Sequence, residues 1–319
     1  MSDNKRRQIF KIYSDNLFML RQHGLIPTIK TEHEKPFICP ICLKEFTEEH
    51  LDVSLKEHLT LEDAPPKSLG GKANVLTCKK CNNTCGTEVD AHLANRIKEL
   101  DKTKFFRNSE AKAKVEKDGI TVNGTVIVDN EGTMKMHLAP ENNNPELLKK
   151  HIASVGPNVI INITFMPLKV DDNRLKLALL KTGYLLLFQK YGYAFIFDKE
   201  YDRIRKQLLF PQDLIYPLDF WFLGPFPKEL TEIVPFVIEP GLGSVLPFFE
   251  LTTKHSSYIF ATILPINERP VEEIIAGFRK IFDGVSEFNV LMHRFNSNSD
   301  FLGNPDKAKE LIDFTKTIK

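Results

Sequence analysis

Apolar and polar positions repeat with a helical period at both ends of the chain and with a strand period in its middle. Residues 3–23 place Ile9, Ile12, Tyr13, Leu17 and Leu20 at helical spacing, and Gly24 and Pro27 stop the run. LDVSLKEHLT (51–60) predicts a strand. VLTCKKCNN (75–83) predicts a short strand turning into a helix that continues through DAHLANRIKELD (90–101). Residues 101–118 are dense in Lys, Glu and Asp around Phe105 and Phe106, and read as a helix or linker. ITVNGTVIVDNEGTMKMHL (120–138) alternates around DNEG, a hairpin signature.

The second half continues the alternation of element types. PENNNPELL (140–148) predicts a loop and N-cap leading into a short helix, and NVIINITFMP (158–167) a strand. RLKLALLKTGYLLLFQKYG (174–192) predicts a strongly apolar helix ended by Gly192, YAFIF (193–197) a buried strand, and YDRIRKQLL (201–209) another helix. Three β-rich runs follow at 231–239, 244–252 and 256–265, then helices near 271–282 and 305–317. The expected fold class is α+β in two domains, residues 1–118 and 119–319. Tyr184, Tyr193, Trp221 and the Phe-rich runs read as core or a partner surface.

Composition narrows the class. The chain has 319 residues, 42% hydrophobic and 27% charged, as in ordinary globular domains. A net charge of +1 offers no bulk electrostatic case for nucleic acid, so any such surface must be local. The first residues, MSDNKRRQIFKIYSDN, lack the apolar core of a secretory signal, and no apolar run reaches the length of a membrane span. A cytoplasmic location without membrane association is the expectation, and there paired cysteines point to metal rather than disulfide.

Four of the five cysteines form two CxxC pairs, Cys39/Cys42 and Cys78/Cys81, separated by 35 residues. Each CxxC turn sets two sulfurs on one side of a tight knuckle, and four thiolates suit tetrahedral zinc. The wide separation implies a folded insert and a structural metal. Cys85 reads as a small buried residue.

Within that frame stand Glu57-His58, a Pro- and Gly-Gly-containing loop, Asn74 before a short apolar strand, and Asn82 directly after the last cysteine. This ordered set over residues 39–95 resembles the HNH (His-Me finger) endonuclease family, in its zinc-knuckle branch with an E-H…L-G-G…C-x-x-C-N pattern. The resemblance implies a ββα-metal finger stapled by a four-cysteine zinc site. It also implies phosphodiester hydrolysis, with His58 as the general base on water, since His titrates near neutrality. Glu57 and Asn82 would hold a catalytic Mg2+ or Mn2+, and Asn74 would orient the His58 imidazole. Glu57 and His58 could not both face the site in a regular strand, so a bulge or strand end is expected there. Glu57 stands where many relatives have Asp, and Asn82 where many have His.

Other readings stay open beside these. Asn82 could cap the following helix, and Asn74 could be a turn residue. Asp90 fits a trailing family Asp but reads more simply as a solvated or capping carboxylate, and His92 as surface. Gly70 and Gly71 serve a turn or a close backbone approach to phosphate. Lys67, Lys72, Lys79 and Lys80 serve as phosphate contacts or as an ordinary solvated face. The expected partner is nucleic acid, DNA first, with RNA cleavage and a non-catalytic zinc-knuckle binding protein as alternatives. The C-terminal domain would choose the target, sense a signal or mediate assembly, homo-oligomers included. A role in phage defence is an analogy drawn from stand-alone bacterial proteins of this kind.

Overall fold

The computed structural model describes residues 2–219, 221–224, 226, 228–231, 233–237, 243–266, 269–283, 291–292 and 299–317. The chain is mixed α+β, as expected. It divides into a first compact unit of residues 1–94, 171–253 and 257–319 and a second of residues 95–170 and 254–256.

The first unit begins with α1 (Ser2–Gln22), which buries Ile9, Tyr13, Leu17 and Leu20 and leaves Ile12 exposed. Strands β1 (Phe37–Ile38) and β2 (Glu45–Phe46) pair antiparallel around the first CxxC turn. A second hairpin follows, β3 (Leu59–Ala64) and β4 (Lys72–Cys78). Helix α2 (Lys79–Cys85) leaves β4 directly, passes through a π-turn at Gly86–Asp90 and continues as α3 (Ala91–Lys102). The strand expected at 51–60 is a correction. Residues 48–51 form a 3-10 turn and the strand starts only at Leu59, so Glu57 and His58 precede it.

The second unit is a four-stranded antiparallel sheet of β5 (Ser109–Lys117), β6 (Ile120–Val128), β7 (Met134–His137) and, after α4 (Pro145–Ser154), β8 (Asn162–Phe165), in the order β7-β6-β5-β8. Asn144 caps α4 by accepting from the amides of Glu146 and Leu147. Val115, Val122 and Leu148 form the core between sheet and helix. Residues 109–117, expected as a helix or linker, are a strand. Its charged side chains line the exposed face while Ala113 and Val115 face the core, a period of two that the density of Lys and Glu hid. The boundary expected at 118/119 therefore falls inside the β5–β6 turn.

The first unit resumes with α5 (Asp172–Tyr191), α6 (Lys199–Leu209), β9 (Trp221–Gly224), β10 (Ile233–Val237), β11 (Gly243–Thr252), β12 (Ser257–Thr262), α7 (Val271–Phe282), β13 (Leu291–Met292) and α8 (Pro305–Thr317). Among the described residues β9–β13 make one antiparallel sheet, ordered β13-β10-β11-β12-β9. Of the run 231–239, residues 232, 238 and 239 lie outside the described residues. The strand expected at 193–197 does not form. A 3-10 turn at Gly192–Ala194 instead carries Tyr193 into the core.

Helix α5 is apolar all round and buried nearly all round, and it packs on β3, β11 and β12. A Cβ at Gly183 would overlap Thr262 Oγ1, so the approach of α5 to β12 requires glycine. Tyr184 donates to the carbonyl of Pro40, and Tyr193 Oη both donates to Ile38 O and accepts from Ile38 N at 2.8 Å. The first knuckle is thus clamped by side chains 144 and 155 residues downstream. So small a motif buries little apolar surface alone, and here it shares a core with the C-terminal segment rather than forming a separate domain. No described helix is long and apolar enough to cross a membrane.

Candidate metal centre and hairpin site

The two CxxC turns meet. Cys39 follows β1 and Cys42 lies in the turn, where Leu43 adopts φ 57° and its amide donates to Cys39 O at 2.9 Å. Cys78 ends β4, and Cys81 sits in the first turn of α2. The four sulfurs lie within 4.8 Å of one another. Cys42 Sγ and Cys78 Sγ are 3.7 Å apart, the separation that metal–sulfur bonds of about 2.3 Å give at tetrahedral angles. The backbone amide of Cys78 donates to Cys39 Sγ at 3.4 Å. Hydrogen bonds from Cys39 hold Cys42 and Cys78 below the ordinary thiol range, while burial pushes Cys39 up. The residues fit a structural metal ion. Among the described residues this is the one such cluster of His, Cys, Asp and Glu. Cys85 stands outside it, and burial pushes its thiol up to about 12.

The residues expected to hold a catalytic cation have other partners. Glu57 is exposed and ion-pairs with Lys44 on the first knuckle, which holds its carboxyl below the usual range. His58 is buried at 5% exposure, and its Nδ1 lies 2.6 Å from Leu55 O. A carbonyl can only accept, so Nδ1 carries the proton and Nε2 is the acceptor nitrogen of the neutral ring. Asn74 does not orient this imidazole. It is the extra residue of a bulge between the pairs Glu62–Val75 and Asp63–Ala73, and its Oδ1 accepts from Lys5 Nζ at 3.1 Å. Asn82 does not cap α2, whose N-cap is Cys78. Its Nδ2 donates at 2.9 Å to both Thr60 Oγ1 and Leu61 O, tying helix to hairpin.

Gly70 and Gly71 close the hairpin loop by packing. A Cβ would overlap Thr252 Oγ1 from Gly70 and Pro65 O from Gly71, and Gly70 has φ 87°. Lys67, Lys72, Lys79 and Lys80 are exposed around the loop and the start of α2. His92 Nδ1 accepts from the amide of Asp171 at 2.8 Å, a structural task.

The sequence reading missed one charged cluster. Lys181, on buried α5, places Nζ 2.6 Å from both Glu62 Oε1 and Asp90 Oδ2. Burial opposes this ammonium, but the carboxylates of Asp90 and Glu62 overcome it, so Lys181 titrates above its ordinary value. Burial also pushes Glu62 and Asp90 up. Asp90 is therefore no solvated carboxylate. The signal was present in LALLKTGYLLLF, where a single cation interrupts an apolar helix and demands an anionic partner.

Nothing among family models, curated proteins or solved structures matches this chain.

Proposed function

We propose that the chain is a zinc-stapled nucleic-acid-binding protein whose HNH-like finger grips the phosphate backbone without cutting it. The carrying observation is that the residues cleavage needs have other partners. Glu57 is held by Lys44, Asn74 by Lys5, and Asn82 by Thr60 and Leu61. Hydrolysis requires the base, the metal carboxylate and the amide ligand at one phosphate, whereas Glu57 is paired with a lysine and Asn82 spends its Nδ2 on the hairpin. Zinc is the ion that four thiolates in a tetrahedral arrangement favour. The exposed Lys67, Lys72, Lys79 and Lys80 supply phosphate contacts, with duplex DNA the first candidate.

A second reading rests on His58. Its Nδ1, anchored on Leu55 O, leaves Nε2 as the acceptor that a general base needs. In that reading the chain is a metal-dependent HNH endonuclease, and Glu57 and Asn82 move onto Mg2+ or Mn2+ only when a DNA or RNA phosphate is bound.

One experiment separates the two. Zinc-loaded protein is titrated with labelled duplex DNA and RNA by anisotropy. It is also incubated with supercoiled plasmid and with RNA in Mg2+, Mn2+ or EDTA, beside His58→Ala. Binding without cutting in any metal supports the first reading. Metal-dependent cutting that vanishes in His58→Ala at unchanged zinc content establishes the second. Neither binding nor cutting removes both.

A further inference from the structure

Glu62 lies on β3 and Asp90 on the helical segment that follows α2, and their carboxylates both reach one positive centre. The centre is Lys181 Nζ, on a side chain with no exposed surface, 2.6 Å from each carboxylate. Thr60 and Glu62 share one face of β3 by the strand period. Asn82 anchors the helix to Thr60, and Thr77 Oγ1, from β4, donates to Glu62 Oε2 at 3.3 Å. The cleft between hairpin and helix is thus lined with oxygen. One of those oxygens, Asp90 Oδ1, is buried with no hydrogen-bond partner. Two carboxylates around one ammonium also leave a negative charge in excess. Four carboxylate oxygens, one of them orphaned, make a donor set suited to a hard divalent cation such as Mg2+ or Mn2+ rather than to an ammonium with three protons to place.

We propose that Lys181 Nζ is a resident substitute for a divalent cation, occupying the oxygen-lined position between hairpin and helix so that this cleft is held together without metal. The meaning of the substitution rests on the finger reading above, and its geometry does not. A tethered ammonium offsets one of the two carboxylate charges permanently, offers no open coordination position for a phosphate oxygen, and makes the cleft indifferent to the Mg2+ concentration. Removing the side chain leaves Glu62 and Asp90 buried, close together and unneutralised, an arrangement that a divalent cation relieves.

The test is Mn2+ uptake by zinc-loaded protein in metal-free buffer, read from loss of the free Mn2+ paramagnetic resonance signal. Wild type should leave the signal unchanged. Lys181→Ala should take up one Mn2+ per chain at least about tenfold more tightly than wild type, since affinity follows ligand charge count, and adding Glu62→Gln should abolish the uptake. A folded, zinc-loaded Lys181→Ala that takes up no Mn2+ overturns the proposal. So does wild-type uptake that Glu62→Gln removes. Should Lys181→Ala not fold alone, recovery of its circular dichroism in Mn2+ but not in equal ionic strength of KCl supports the proposal, and failure in both overturns it. None of these readings involves nucleic acid, so they fail or succeed independently of the proposed binding activity.

Discussion

His58 and Asn74 occupy opposite ends of one hairpin. His58 immediately precedes Leu59, which pairs with Cys78 of the four-cysteine cluster, whereas Asn74 is the bulged residue near the loop. Four or five strand residues separate the two levels, about 15 Å at the rise of an extended chain. His58 is instead held by Leu55 O, three residues before it. The two substitutions should therefore behave differently. Asn74→Ala removes one exposed bond to Lys5 and should change stability by less than about 0.5 kcal/mol. His58→Ala empties a buried site and orphans a carbonyl, and should cost about 1–3 kcal/mol. Urea denaturation of the two variants checks this. Equal effects would mean that the imidazole and the amide share one environment after all.

The metal cluster should be structural for the whole first unit, because Tyr184 and Tyr193 join the first knuckle to the core around α5. Cys39→Ser or Cys78→Ser should lose the metal and, with it, the near-ultraviolet dichroism of those tyrosines. Chelation of wild type should do the same. Retention of the tyrosine signal in metal-free protein would show that the core around α5 stands without the knuckles.

Cys85 should be silent toward thiol reagents. It is buried and outside the metal cluster, and burial holds its thiol up at about 12, so almost no thiolate exists near pH 8. Native metal-loaded protein should show no fast-reacting thiol, and denatured protein without metal should show all five cysteines of the chain. A single fast-reacting thiol that disappears in Cys85→Ala would contradict the burial.

The sequence carried the elements further than it carried their assembly. The DNEG hairpin, the Asn144 cap and the all-round apolar α5 were legible because each rests on local chemistry. The four-cysteine cluster was legible because CxxC spacing specifies its own geometry. Residues 109–117 were misread because exposed Lys and Glu on one strand face mask the period of two. The two-domain division failed because nothing local records that Tyr193 would bond to Ile38. The site failed for a related reason. Motif order gives no register, and the bulge at Asn74 together with the late start of β3 decides which side chains meet. Glu62, Asp90 and Lys181 are too far apart in sequence for any spacing rule to join them.

Lys181 should matter most where its carboxylates are ionised. Lys181→Met removes one partner of a fully buried cluster and should cost about 3–5 kcal/mol at neutral pH. Burial holds Glu62 and Asp90 above their ordinary values, so their protonated forms contribute stability that is present below about pH 4 and is lost as pH rises through the raised values. Without the ammonium those values rise further. The gap between wild type and Lys181→Met should therefore widen from about pH 4 to about pH 7 in denaturant melts. A gap independent of pH would reduce the role of Lys181 to packing.

If the exposed lysines of the loop and of the α2 start contact phosphates, the contact must appear as counterion release. Each phosphate neutralised on duplex DNA contributes about 0.9 to the slope of log affinity against log salt. Lys79 and Lys80 open α2, beside the metal cluster, and Lys67 and Lys72 flank the glycine turn. Their side chains are exposed, so substitution should leave the fold intact. Lys79→Ala/Lys80→Ala should lower the slope by about 1–2 units and weaken binding to unrelated sequences alike, because a phosphate contact carries no base information. Lys149→Ala/Lys150→Ala, on α4 of the second unit, serves as the charge-matched control and should leave the slope unchanged. Equal slopes for wild type and the double variant, at equal metal content, would place any nucleic-acid contact away from the start of α2.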